Sequence, residues 1–124
     1  MIKGIDVVFV HVLNPEKMAK WYQNILGVPM GFQTPDIHWQ ELSLPTDRPP
    51  TRFGLDSVGE DASEVEQQAI MISFGVDDIH QFVEDLEEKG LQFFGNPKIV
   101  DAGPTLFATT QDPEGNWIQF SQKK

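Results

Sequence analysis

Apolar residues recur along this chain with two periods, one belonging to strands and one to helices. Val7 to Leu13 is an apolar run rich in β-branched residues and reads as a strand. Asn14-Pro15 follows: a side chain suited to capping a helix, then proline at the first helical position, where its missing N–H costs nothing. Met18, Trp21, Tyr22 and Ile25 then recur at helical spacing, and Gly27 closes the helix. Val28 to Gln33, Trp39 to Leu44 and Arg52 to Asp56 are strand candidates, separated by Pro35-Asp36 and by Pro45 to Pro50.

The same order returns about 64 residues later. Ala69 to Val76 reads as a strand, and Asp78 as an N-cap with Gln81 as its capping-box partner. Ile79, Phe82, Val83 and Leu86 form one helical face, closed by Gly90. Leu91 to Phe94, Thr105 to Thr110 and Trp117 to Ser121 are the strands that follow, with Asp112-Pro113-Glu114-Gly115-Asn116 as a turn between the last two. The offset lays Val12 on Val76, Asn14 on Asp78, Met18 on Phe82 and Tyr22 on Leu86. The pattern predicts an α+β fold of two tandem βαβββ modules within a single domain, residues 1–124. Module one spans about 5–57, a polar linker about 58–68, and module two about 69–122. Each mixed sheet has one face covered by its helix, and the other left for a second layer, commonly the opposing sheet. Two such sheets facing each other would leave a ligand cleft.

The chain resembles the vicinal-oxygen-chelate superfamily, which includes glyoxalase I, extradiol dioxygenases, fosfomycin-resistance enzymes and bleomycin-binding proteins. The resemblance rests on the duplication, on Phe74-Gly75-Val76-Asp77-Asp78-Ile79, on the helix end Leu86-Glu87-Glu88-Lys89-Gly90, and on Asp112 through Phe120. That last stretch, Asp112-Pro113-Glu114-Gly115-Asn116-Trp117-Ile118-Gln119-Phe120, is similar to the family's DP-(D/E)-GN signature. The resemblance implies the fold and leaves the activity open, because the fold hosts many.

It also implies a divalent metal held by side chains from the first and last strands of both modules. The matching positions here are Val7, Met71, Gln119 and a residue near Gly54. Val7 and Gly54 offer no donor, Met71 a soft thioether, and Gln119 alone would not hold a hard cation. We therefore expect no family-type metal site and no cofactor. His11, His38 and Glu41 are the alternative metal set that the sequence leaves open.

Alternation from the matched positions predicts a ligand-binding cleft lined by Phe9, His11, Arg52, Met71, Trp117 and Gln119. His11 lies four residues after Val7 on the same strand face, where the resemblance implies a substrate contact; the alternative is a satisfied core histidine. Arg52 could clamp a carboxylate or phosphate, or pair with Asp56 or Asp47 at the surface. Trp39 and Trp117 could stack on a planar or cationic ligand, or serve as core. No GxSxG elbow, Gly-rich phosphate loop or HExxH is present, so catalytic residues stay unassigned.

Composition narrows the choice. The net charge of -10, from 19 acidic against 9 basic residues, would repel nucleic acid. Without cysteine there are no disulfides or thiolate sites. No apolar run reaches the roughly 20 residues of a membrane span, and no signal-peptide pattern opens the chain, so the expected location is cytoplasmic. The leading expectation is a metal-independent small-molecule-binding protein that sequesters its ligand. The alternatives are a divalent-metal-dependent lyase, isomerase or dioxygenase, a metal-free enzyme using His11 and Arg52, and an interaction domain with a vestigial cleft. Closed two-fold dimers are the commonest oligomers, and the resemblance implies modules paired within a chain or across such a dimer. A homodimer is expected, and sedimentation at several concentrations should return twice the chain mass; a concentration-independent monomer would refute it.

Overall fold

The computed structural model describes residues 7–44, 52–59 and 70–124. The expected turn from Pro45 to Pro50, most of the expected linker, and Ala69 lie outside the described residues. The chain divides into two compact units, Met1–Val65 and Glu66–Lys124. Each is of α+β type with one helix and one sheet: the first unit is βαβββ, and the second has the same order with one additional short strand after its helix.

The first unit comprises β1 (Val7–Val12), α1 (Pro15–Asn24), β2 (Met30–Gln33), β3 (Trp39–Leu42) and β4 (Arg52–Ser57). The sheet order is β1-β4-β3-β2, with β1 parallel to β4 and the other neighbours antiparallel. Alternation sends Val10, Val12, Leu42, Phe53 and Leu55 inward, where they are buried together with Met18, Ala19 and Tyr22 of α1. Tyr22 meets Phe53 at 5.5 Å between ring centroids. Buried Gln40 is tolerated because its amide donates to the Glu41 carbonyl at 2.9 Å. The cap at Asn14 forms as expected: the Lys17 N–H donates to its side chain at 3.0 Å, and Pro15 opens the helix.

The second unit comprises β5 (Ile72–Gly75), α2 (Ile79–Glu88), β6 (Phe93–Phe94), β7 (Val100–Asp101), β8 (Thr105–Gln111) and β9 (Trp117–Lys123). The order is β5-β9-β8-β6, with β7 also on β8. Phe120 sits among Phe82, Phe74 and Phe93, at centroid distances of 4.7, 6.0 and 6.2 Å. Ile79, Val83 and Leu86 of α2 are buried with Phe93, Ala108, Ile118 and Phe120 of the sheet. No helix among the described residues is long and apolar enough to cross a membrane.

Two local readings need correction. Strand β7 was not expected, since two residues are too few to show a period. The capping box at α2 is only half formed. Asp78 accepts from the Gln81 N–H at 3.1 Å, but the Gln81 side chain reaches forward to Asp85 at 2.8 Å. A different orphan donor, the first N–H of the helix, is satisfied from β9: Ile79 donates to the Gln122 side chain at 2.8 Å.

The Asp112 to Asn116 turn shows why its residue types belong together. Asp112 is 4% exposed, so its carboxylate needs partners. It accepts from the N–H groups of Glu114 at 3.0 Å and Asn116 at 2.9 Å, and from the Asn116 amide at 2.9 Å. Gly115 supplies the positive φ of 86° that closes the turn into β9. Replacing Asp112 by Ala removes these bonds and should cost about 2–4 kcal/mol in denaturant unfolding. A loss under about 0.5 kcal/mol, the size of an ordinary surface substitution, would show that the turn does not depend on the carboxylate.

Candidate functional site

The sheet of the first unit has a face that α1 does not cover. Register assembles it in rows. Phe9, Gly54 and Glu41 lie side by side on β1, β4 and β3; His11, Asp56 and Trp39 form the next row; Val7 and Arg52 pair beyond Phe9 and Gly54. Residues two apart on one strand share a face, so this grouping follows from pairing alone.

Gly54 shapes the surface. A Cβ placed there would lie 2.5 Å from Cζ2 and 2.6 Å from Cη2 of Trp39. Only a residue without a side chain lets the indole lie on the strand. The indole Nε1–H then donates to Glu41 Oε2 at 2.9 Å. Arg52 Nη1 donates to both oxygens of the same carboxylate, at 3.2 and 3.1 Å. The Glu41 side chain is only 14% exposed, so its charge is held out of most of the water and answered by the guanidinium. Phe9, 45% exposed, packs edge-on to Trp39 at 5.2 Å and to His11 at 5.7 Å. Asp56 Oδ2 lies 3.4 Å from His11 Nδ1, which leaves the Nε2 edge of the ring available.

The uncovered face of the second unit is built the same way. Ser73, Gln119 and Thr109 form one row on β5, β9 and β8. Trp117 and Gln111 lie in the next row, and Ser121 and Phe107 in the row on the other side. Trp117 meets Phe94 of β6 edge-on at 5.1 Å. Met71, just before β5, is 46% exposed.

The structure therefore brings Phe9, His11 and Arg52 onto one face of the first unit. Trp117 and Gln119 share a face of the second, with Met71 beside β5. Arg52 pairs with Glu41, opposite Gly54 in register, and not with Asp56; the other partner anticipated for it, Asp47, lies outside the described residues. Trp39, anticipated as a stacking residue, completes the first face together with Glu41, anticipated only in a metal set, and Asp56, which was not expected there. Asp56 could have been found by alternation from Gly54. Placing Glu41 and Trp39 on the same face as Phe9 and His11 required knowing that β3 pairs with β4.

The positions that the family resemblance assigns to a metal do not fit one. Val7 and Gly54 present no donor atom, and the indole of Trp39 fills the space over Gly54. The alternative set fails as well: His11 faces Asp56, Glu41 is engaged by Trp39 and Arg52, and His38 is exposed before β3. Among the described residues no group of three or more His, Asp or Glu side chains gathers closely enough to hold an ion. Elsewhere in the first unit, a pocket of about 240 Å³ opens at the start of α1, lined by Leu13, Pro15, Asp36, His38 and Ser57 among others. There the Thr34 hydroxyl, and then the His38 N–H, hold the Asp36 carboxyl below its usual range.

Comparison with known proteins places this geometry. The family model of the glyoxalase/bleomycin resistance protein/dioxygenase superfamily matches residues 4–120. An integron cassette protein from the mobile metagenome of the Halifax Harbour sewage outfall has 26% identity and a TM-score of 0.75, with 98% of this chain and 99% of that one covered. TnmS3, an antibiotic-binding protein from a Streptomyces species, has 21% identity and a TM-score of 0.74, with 99% and 98% covered. Lactoylglutathione lyase from Agrobacterium tumefaciens has 14% identity and a TM-score of 0.75, with 98% and 94% covered. A search of curated proteins gives no match.

The contact between Gly54 and Trp39 can be tested by a double-mutant cycle. Gly54→Ala should cost about 1–3 kcal/mol, as overpacking does, and should alter the near-ultraviolet circular dichroism of the tryptophans. In a Trp39→Ala background the same change should cost under about 0.5 kcal/mol, the level of independent sites. Equal costs in both backgrounds would mean that the indole does not rest on Gly54.

Proposed function

Because this chain belongs to the glyoxalase/bleomycin resistance protein/dioxygenase superfamily, we propose that it is a metal-independent small-molecule-binding protein that sequesters its ligand. The uncovered face of its first sheet takes part in that binding. One observation carries the reading: an aromatic pair, exposed Phe9 and half-buried Trp39, stands beside Asp56 while the arginine of the same face is tied to Glu41. The family-assigned positions offer no set of hard donors, which supports binding without a metal. An antibiotic-binding protein shares the fold, so the architecture is compatible with capture without turnover.

The charge balance favours a cation. Arg52 neutralises Glu41, and Asp56 has the imidazole of His11 beside it. With His11 neutral the described face carries one net negative charge, next to two aromatic rings that attract cations. An anion would have to compete with Glu41 for the guanidinium. The overall charge of -10 acts in the same direction at longer range.

A second reading rests on the His11–Asp56 pair. A carboxylate 3.4 Å from Nδ1 leaves the Nε2 edge open to a ligand, the arrangement a general base would use. In that reading the protein is a metal-free enzyme, Arg52 positions Glu41 and Trp39, and His11 does the proton chemistry.

Calorimetry with methylacridinium, a planar aromatic cation, and with an acridine carboxylate of similar size should separate cation from anion recognition. The cation is expected to bind more tightly. Trp39→Ala and Asp56→Asn should each weaken it by about 2- to 30-fold, the range of a cation–π contact. Arg52→Ala should leave cation affinity unchanged or raise it, because it frees the Glu41 carboxylate. Preferred binding of the carboxylate, lost in Arg52→Ala, would overturn the reading.

A further inference from the structure

The two uncovered sheet faces are built on equivalent backbone positions and differ in chemistry. Through the register, Glu41 of the first unit corresponds to Thr109 of the second, Arg52 to Trp117, Asp56 to Ser121 and Gly54 to Gln119. His11 corresponds in the same way to Gly75. Every ionisable residue in these pairs has a neutral counterpart in the second unit. Lys123, exposed and paired with Thr105 at the end of β9, is the nearest charge along that strand face.

What remains on the second face is a particular mixture. Hydroxyls and an amide, groups that both donate and accept hydrogen bonds, run across three strands as Ser73, Gln119 and Thr109. Ser73 and Ser121 share a hydrogen bond of 3.1 Å, which leaves the pair further donor and acceptor capacity. Gln119 and Thr109 have no side-chain partner among the described residues. Adjoining this row, Trp117 and Phe94 form an edge-on aromatic pair, and Phe94 is 37% exposed. Neighbouring strands lie about 4.8 Å apart, so adjacent side chains of the row can reach hydroxyls on one six-membered ring.

We propose that this face binds an uncharged, polyhydroxylated ring, a glycosyl group, with its C–H face on Trp117 and Phe94 and its hydroxyls on Gln119, Thr109 and Ser73. A charged ligand would lose hydration there without gaining a counter-charge. A purely apolar ligand would bury the free amide of Gln119 unpaired. A sugar ring satisfies both demands: its C–H groups cover the aromatic edge, and its hydroxyls match groups that donate as well as accept. The inference concerns the second unit and stands independently of the cation-binding reading of the first.

Saturation-transfer NMR on the full chain, with methyl glucoside, methyl galactoside and methyl mannoside as probes, tests it. Transfer is expected to at least one glycoside, strongest at ring C–H protons and unchanged by added salt, since no ion pair is involved. Trp117→Ala should abolish the transfer. Gln119→Leu, which keeps size and should keep the fold by circular dichroism, should weaken affinity about 3- to 10-fold, as expected for one lost neutral hydrogen bond. His80→Ala, on the exposed side of α2, should change nothing. Absence of transfer to all the glycosides would overturn the proposal, and so would transfer that survives both Trp117→Ala and Gln119→Leu.

Discussion

The pairing of the first strand of each unit with its last, in parallel, is the constraint from which the rest follows. β1 lies on β4 and β5 on β9, and neither pair could form through a tight turn. The helix bridges the first strand of each pair to the strands that follow and covers the face on which Val12, Leu55, Ile118 and Phe120 are buried. A slip of one residue would turn that buried set outward, so the core holds the register. Once the register is held, Phe9 must lie beside Gly54, His11 beside Asp56 and Ser73 beside Gln119. Which residues are neighbours on both uncovered faces thus follows from packing on the opposite side.

Within that frame, one glycine organises the first face. Without a side chain at Gly54, Trp39 lies flat over the strand and turns its N–H towards Glu41. Glu41 then holds Arg52. A charged residue that sequence alone offers as an anchor for anions is therefore committed within the sheet. Its site partner is a carboxylate that sequence reading placed in a different, metal-binding set. The same indole fills the space over Gly54, one of the positions where family resemblance calls for a metal ligand.

Much of the fold was legible in the sequence because its signals are local and repeated. The caps at Asn14 and Asp78, the helical faces of Met18 and Tyr22 and of Val83 and Leu86, and the Asp112 turn each lie within a few residues. The duplication let each module check the other. The candidate faces were half legible. Alternation put Phe9, His11 and Arg52 together, and Trp117 with Gln119, since it needs only the strand that carries them. It could not supply neighbours across the sheet. Trp39 and Glu41 join the first face through the β3–β4 pairing, and Gln122 caps α2 from β9. These are contacts between distant residues, and no pattern along the chain announces them.

The equivalence of the two sheets sharpens what the faces imply. Had the modules kept their charges in common, those charges could be attributed to the fold, as surface groups that keep the chain in solution. They did not: the pairs Glu41/Thr109, Arg52/Trp117 and Asp56/Ser121 share backbone geometry and differ in every case in charge. The shared backbone geometry therefore accommodates both chemistries at these positions. The difference between the faces is then better explained by what each one meets than by what holds it together. One face is suited to a cation beside aromatic rings, the other to a neutral ligand that gives and takes hydrogen bonds.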